Sequence, residues 1–250
     1  MRYLEKTLSS LEANLALDEA LLDEAEDSSS ATETLRIWEP TCLGVVVGRS
    51  SCIPAEVHVD ACRRQAIPIA RRTSGGAAVV IGPGCLMYAV VLSLVERPVL
   101  RRVAQAHRFV LNTVAEALRP WVPEVCCAGT SDLVLANRKF SGNSLRIRRR
   151  HLLYHGTLLY AFPLEPIDGL LAMPPRQPLY REGRSHSAFL TNLPLGPDVL
   201  RNVLVTAWNA VEPCVDWPWQ RTARLVAERY RQDANSACDE LPRETARRGL

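Results

Sequence analysis

From Ala77 to Leu94 the chain is almost continuously apolar, broken near its middle by Gly82-Pro83-Gly84. Neither half is long enough to cross a bilayer as a helix, so no membrane segment is expected. A Gly-Pro-Gly break inside such a run is a turn, and the two halves read as buried strands, the second running through Ser93. Strands covered on both faces need other elements around them, so the middle of the chain is expected to be sheet. With 250 residues, 47% hydrophobic and 23% charged, the chain can close one sizeable core.

The flanking pattern supplies those elements. Ser9 or Ser10, then Leu11, Leu15, Ala16, Leu22 and Ala25 with acids between them, predicts a capped amphipathic scaffold helix ending near Asp27 to Ser30. Thr34 to Trp38 and Cys42 to Gly48 read as strands of a hairpin turning at Glu39-Pro40. Glu56 to Gln65 reads as a helix, and Ile67 to Ala70 as a short buried strand. Val103, Ala106, Val110, Val114 and Ala117 mark a helix over Leu100 to Leu118. Three β-type segments follow, Asp132 to Ala136, Lys139 to Arg146 and His151 to Ala161, separated by Asn137-Arg138 and Arg148-Arg149-Arg150. Pro163 to Pro178 reads as a long surface connection of the kind that forms lids or binding segments. Val199 to Val211 and Thr222 to Asp233 read as helices. The fold class expected is α+β, a mixed, largely antiparallel sheet flanked by helices. The domain expected is residues 1 to 235, followed by a disordered tail at 236 to 250, with no C-terminal accessory domain.

The N-terminus, Met-Arg-Tyr-Leu-Glu-Lys, has no basic start followed by an apolar stretch, so a cytoplasmic location is expected. Eight cysteines are scattered through the chain without CxxC spacing; they are expected to be mostly reduced and buried, with no metal site. A net charge of +3 with few aromatics gives no reason to expect a nucleic-acid partner. Among thirty basic residues only Lys6 and Lys139 are lysines. Under that arginine bias, a lysine is retained where a compact ammonium is required. Lys6 falls in an expected frayed end, which leaves Lys139.

Two segments carry chemistry. Arg71 to Ala78 reads RRTSGGAA between predicted strands. Its glycines let backbone amides approach a ligand and its arginine can neutralise an anion, which suits an adenylate-like group; by itself the signal is weak, and a tight turn beside a surface arginine accounts for it more simply. Gly129 to Gly142 reads GTSDLVLANRKFSG and leads on to His155-Gly156-Thr157. A lysine at a strand start between an acid and an SGN turn can stabilise negative charge developing on an acyl carbonyl or phosphate; alone, it is equally a solvated hairpin lysine.

Taken in order, Asn14 to Leu22 (NLALDEALL), Gly48-Arg49, Arg71 to Ala78, Gly129 to Arg146, Tyr154 to Leu159 and Ser185 to Leu193 (SHSAFLTNL) resemble the biotin and lipoate protein ligases. The likeness is to the lipoate ligase and octanoyltransferase branch, over about residues 10 to 195. It implies the catalytic-domain fold of that family and an acyltransferase that attaches lipoate to a lysine of a carrier domain through lipoyl-adenylate. The carriers implied are the E2 component of 2-oxoacid dehydrogenases or the glycine cleavage H protein. ATP and Mg2+ are the implied co-substrates, with lipoate or an octanoyl donor as the acyl source. Lys139 then contacts the acyl carbonyl and adenylate phosphate. Arg72, Ser74, Gly75, Gly76 and Ala77 close over the acyl group and adenylate, and Gly142, His155, Gly156 and Thr157 line the same pocket. Asp132 lies near the nucleotide and Arg49 near the acyl tunnel.

The family's third loop glycine is Ala77 here, and its HDxGNLN segment reads Ile81 to Met87, IGPGCLM. In place of an accessory domain in the same chain, a separate accessory-domain protein is a candidate partner. Two alternatives stay open. One is an octanoyltransferase or lipoyl amidotransferase acting on a preformed acyl donor, with Cys126 or Cys127 as nucleophile and Lys139 lowering its pKa. The other is a non-catalytic lipoyl-binding protein. The GRGRRG loop of biotin ligases does not occur in the sequence.

Overall fold

In the computed structural model, which describes residues 1–28 and 32–230, the apolar run does form two strands, but they enter different sheets. The elements are β1 (Arg2–Glu5), α1 (Leu11–Asp27), β2 (Thr34–Trp38), β3 (Gly44–Val47), α2 (Ile53–Glu56), α3 (Val59–Arg64), β4 (Ile69–Arg71), β5 (Val79–Ile81) and β6 (Cys85–Ser93). A 3-10 turn at Pro98–Arg101 leads to α4 (Val103–Leu118), β7 (Cys126–Ala128), β8 (Asp132–Leu135), β9 (Arg138–Ile147) and β10 (His151–Leu159). Then come α5 (Ile167–Leu170), a 3-10 turn at Leu179–Arg181, α6 (His186–Phe189), α7 (Pro197–Ala207), β11 (Glu212–Pro213) and α8 (Trp219–Leu225), which continues as a π turn over Val226–Tyr230.

The large sheet has the order β11-β1-β2-β6-β10-β9-β8-β7, parallel only where β1 meets β11 and β2. The small sheet is β4-β3-β5. The hairpin expected between β2 and β3 does not form: β2 pairs with β1 and β6, and β3 pairs with β4 and β5. The N-terminal residues, expected to fray, form β1, and the Lys6 ammonium sits over the Trp217 ring. The helix expected over Glu56 to Gln65 is split at Val57 and His58, because His58 N–H donates to the Leu170 carbonyl and Val57 bridges to Leu171. The tail beyond Asn235 lies outside the described residues. No helix among the described residues is long and apolar enough to cross a membrane.

β6 is buried along its whole length because each face has its own cover. Leu86, Tyr88, Val90 and Leu92 point into a core built with α4 and α7. On the other face, Ala89 and Val91 meet Leu17, Leu21 and Leu22 of α1. Cys85 and Met87 meet the small sheet together with Leu15, Val46 and Val80. The small sheet is thereby held over one end of the large one, and a space is left between them. The helix α1 opens on Ser10, whose hydroxyl accepts from the Ala13 N–H at 3.1 Å, and its buried face carries two acids, Asp18 and Glu19.

Four of the seven described cysteines, Cys42, Cys52, Cys126 and Cys127, are exposed, against the expectation that most are buried. They lie in turns and on the edge strand β7, where a small side chain meets solvent instead of core.

Candidate active site

The space between the sheets is a cavity of about 660 Å³. Its apolar wall comes from Leu15, Val46, Val79, Val80, Met87, Leu159 and Phe162, joined by Ile167 and Leu171 from the proline-rich segment. Its polar end holds Asp132, Lys139, Thr157, Arg181 and His186. A volume of this size with an apolar wall and few convergent polar groups fits a small organic ligand.

The turn Ala136-Asn137, with φ of 48° and 58°, closes the β8–β9 hairpin tightly, and a bulge between Leu133 and Val134 shifts the register behind it. The bulged pairing sets Lys139 beside Val134 and Gly142 beside Asp132. The Lys139 Nζ lies 2.7 Å from Asp132 Oδ1. A Cβ on Gly142 would come within 2.8 Å of Lys139 Cε and Nζ, so a larger residue there would push the end of the lysine out of this position over the strand. The other oxygen of Asp132 accepts the Tyr180 hydroxyl at 2.7 Å. Burial and the neighbouring Asp132 carboxylate push the Tyr180 phenol up, so that hydroxyl keeps its proton. The Lys139 carbonyl accepts the Thr191 N–H at 2.9 Å, which ties the strand to the chain after α6.

The loop 72–77 forms the opposite rim. The Arg72 guanidinium donates to the carbonyls of Gly75, Ala77 and Val46, so its hydrogen bonds brace its own loop. Burial lowers its pKa to about 10, which leaves it charged at neutral pH. Gly76, at φ 91°, lets the loop double back, and Ser144 Oγ donates to the Gly75 carbonyl at 2.8 Å. Thr73 Oγ1 donates to Glu19 at 3.2 Å, and the Ala78 N–H donates to the buried Glu56 at 2.7 Å. Ser74 Oγ lies 2.5 Å from His155 Nε2.

Of the residues singled out from the sequence, Arg72, Gly76, Ala77, Asp132, Lys139, Gly142, His155, Gly156 and Thr157 line this one cavity. Ser74 and Gly75 stand just behind it in the loop. Arg49, expected near the acyl tunnel, is instead exposed and meets the site through its main chain, its N–H donating to the Ser74 carbonyl at 2.8 Å. Cys126 and Cys127 are not in the lining either; both are exposed on β7. The Cys127 thiol is pushed up, first by burial of the sulfur, with Cys126 and Glu116 adding to it against the pull of Arg119. Lys139 stands in the cavity lining, and neither cysteine does.

The sequence reading marked Pro163 to Pro178 as a lid-type or binding segment without naming site residues in it; that segment and the chain up to 190 supply Pro174, Arg176, Gln177, Pro178 and Phe189 to the lining as well as Arg181 and His186. The reading passed over Asp18 and Arg36. Both are fully buried, with Arg36 Nη1 2.5 Å from Asp18 Oδ1 and Asp18 Oδ2 3.5 Å from His155 Nδ1. An acid on the apolar face of a predicted helix was the available signal, since a carboxylate is buried only with a partner.

Residues 10–199 match the family described as the lipoyl protein ligase A/B catalytic domain. The chain belongs to that family. Among its relatives, a protein of Aeropyrum pernix with the provisional name lipoate-protein ligase A is 31% identical over 157 residues, 62% of this chain and 56% of its own length. The octanoyltransferase LipM of Geobacillus kaustophilus is 26% identical over 185 residues, 64% of this chain and 66% of its own. The chain thus spans little more than half of the first of these. Two solved structures share the fold: a bipartite archaeal lipoate protein ligase from Thermoplasma acidophilum, studied with its E2 lipoyl domain, at TM-score 0.78 and 20% identity over 96% of this chain and 98% of the other; and a lipoate-protein ligase A bound with ATP, at TM-score 0.77 and 19% identity over 92% and 95%. Relatives of both kinds, ligase and octanoyltransferase, are thus similar to this chain in sequence, and the solved ligases share its α+β architecture.

Proposed function

We propose that this chain is a lipoate-protein ligase, joining lipoate to a carrier-domain lysine through lipoyl-adenylate. The observation that carries the reading is Lys139, set by a bulge and an ion pair at the polar end of a cavity whose other wall is apolar. The apolar wall suits the acyl chain. Its carboxyl end then meets Lys139, whose ammonium stabilises negative charge on the carbonyl oxygen and on the adenylate phosphate as each bond changes. Adenylation joins the lipoate carboxylate to the α-phosphorus of ATP with loss of pyrophosphate. Transfer forms the amide to the carrier lysine and releases AMP. The relative solved with ATP and the one studied with an E2 lipoyl domain support ATP and a lipoyl carrier domain as substrates for this chain also.

Among the described residues no group of three or more His, Cys, Asp or Glu is placed to hold a metal ion. The cavity's Asp132 is already engaged by Lys139 and Tyr180. In this reading magnesium enters with the nucleotide, held mainly by its phosphates, which asks for no cluster of protein ligands.

The octanoyltransferase relative favours a second reading, transfer from a preformed acyl donor without ATP. A cysteine route is disfavoured by the position of Cys126 and Cys127 outside the cavity and by the raised Cys127 pKa.

The test is intact-mass analysis of a purified lipoyl domain incubated with the protein, lipoate, ATP and magnesium, beside a reaction with octanoyl carrier protein and no ATP. A lipoyl mass gain in the first reaction alone, abolished in Lys139→Ala, is the expected result. Gain in the second alone establishes the transferase. Gain in neither overturns self-sufficient catalysis and leaves dependence on a separate accessory protein or a binding role.

A further inference from the structure

A lysine side chain is a four-carbon stem ending in an ammonium, so a carrier domain that brings its lysine to the Lys139 end of the cavity has to lie against the rim of the mouth. On one side that rim is the exposed turn 75–77, and on the other it is the exposed Arg176 and Gln177. Gly76, Ala77, Arg176 and Gln177 line the cavity as well.

The turn is backed by residues 48–51. A Cβ on Gly48 would lie 1.9 Å from the Gly76 carbonyl oxygen, Ser51 Oγ donates to that carbonyl at 3.1 Å, and the Arg49 N–H donates to the Ser74 carbonyl at 2.8 Å. Arg49 is thus fixed by its main chain beside the turn while its side chain is exposed. Close by, Arg146 donates to the Thr73 carbonyl at 3.0 Å. Burial, and after it the charges of Arg148, Arg49 and Arg229, lower the Arg146 pKa against the pull of Glu19, so cations crowd this side of the mouth. Across the mouth, Arg184 donates to the carbonyls of Asn137 at 3.1 Å and Tyr180 at 2.5 Å. Carbonyls satisfy these donors without cancelling their charge. Among the described residues none of Arg49, Arg146, Arg176 and Arg184 has a carboxylate within ion-pair distance: Asp132 is held by Lys139, Asp23 by Arg148 and Glu19 by Arg229. Glu182 is the exposed acid on the same stretch as Arg184. Leu179 in that stretch is 97% exposed, between Pro178 in the lining and Tyr180 on Asp132.

A rim with this excess of cations repels the ammonium that must pass it, unless the arriving surface brings carboxylates of its own. We propose that the rim, with Arg49 and Arg146 on one side and Arg176, Arg184 and Leu179 on the other, is the docking surface for an acidic carrier domain whose acceptor lysine is flanked by carboxylates. The proposal rests on the carrier-lysine reaction above, in its ligase or its transferase form. The arginines pair with the carrier's acids, Leu179 supplies an apolar contact, and the carrier's lysine is left to enter between them.

The experiment titrates a fluorescently labelled apo lipoyl domain, with acidic residues beside its lysine, against the wild type and exposed-residue variants at about 50 mM and about 300 mM salt, reading Kd by anisotropy and KM by intact mass. Arg49→Glu is expected to raise Kd and KM about tenfold at low salt, with the difference closing at high salt, while Arg49→Lys stays near the wild type. Arg108→Glu makes the same change of net charge on α4, which covers the other face of the large sheet, and is expected to leave both values unchanged. Leu179→Ser is expected to weaken binding at both salt levels, because an apolar contact is not screened. Inverting the charge of the lipoyl domain's flanking acids is expected to weaken binding to the wild type and to improve binding to Arg49→Glu. Equal effects of Arg49→Glu and Arg108→Glu overturn the docking surface. So does a loss of ATP binding in Arg49→Glu with Kd for the domain unchanged, which assigns the arginine to the nucleotide. A wild type that binds the domain in this charge-dependent way and acylates it from neither lipoyl-adenylate nor octanoyl carrier protein keeps the surface and overturns the proposed reaction.

Discussion

Arg36 and Asp18 are buried together on opposite elements, and each has been taken out of water for the sake of the other. Replacing Arg36 alone by Leu leaves an uncompensated carboxylate in the interior and is expected to cost about 3–5 kcal/mol, while Arg36→Leu with Asp18→Leu recovers much of that loss. Urea midpoints of the two single variants and the double one measure it. A second residue-scale prediction concerns Gly156. A Cβ there would lie 1.8 Å from Asn143 Oδ1, the atom that accepts the Tyr88 hydroxyl, and the Asn143 amide also holds the Ser131 carbonyl and Ser141. Gly156→Ala is expected to destabilise by about 1–3 kcal/mol through this displacement, read as a lowered thermal midpoint. At this scale the sequence showed Lys139 clearly, because scarcity and a neighbouring glycine turn both mark it. Asp18 stayed hidden because its partners, Arg36 and His155, come from distant parts of the chain, and helical periodicity records only that a polar residue sits on an apolar face.

The segment between β10 and α7 shows what an element contributes beyond its local pattern. Its prolines mark it as irregular, but what makes it a wall of the cavity is long-range: Tyr180 on Asp132, the Leu190 bridge to Lys139, and the Thr191 N–H on the Lys139 carbonyl. The hairpin expected at Glu39-Pro40 failed for a related reason. Two short β-type runs around a turn look alike whether they pair with each other or diverge into two sheets, and here β6 takes β2 while β5 takes β3. Tyr180→Phe removes the hydroxyl that ties this segment to Asp132 and keeps the ring tilted against Phe189, centroids 5.1 Å apart. The expected outcome is faster amide hydrogen exchange over residues 174–184, with protection in β10 unchanged. Equal loss of protection in both would make Tyr180 a part of the core and not a tether.

Over the whole molecule, the α+β class followed from the pattern of strands and helices, and the convergence of two distant motifs was implied by the family resemblance they carry. The division into two sheets, which creates the cavity, did not, because pairing partners are chosen by tertiary packing. The same packing buries histidines on three separate elements: His107 on α4, His151 on β10 and His186 on α6. Burial lowers all three from the ordinary value of 6.5. His151 has no hydrogen-bond partner on either ring nitrogen among the described residues, and Glu26, at 3.7 Å, only partly offsets its burial. Because each histidine is held neutral in the fold, the unfolded chain binds more protons below about pH 6.5, and stability falls as the pH drops through that value. At and above pH 7.5 the three contribute their full effect. The expected result is a urea midpoint that declines between pH 7.5 and pH 5.5, with a shallower decline in His107→Gln and His151→Gln. His107 donates to or accepts from the Tyr154 hydroxyl at 3.0 Å, a bond glutamine can retain, so the His107 variant isolates the proton from the contact. A midpoint flat across that range would mean that the three rings take up protons without leaving the fold.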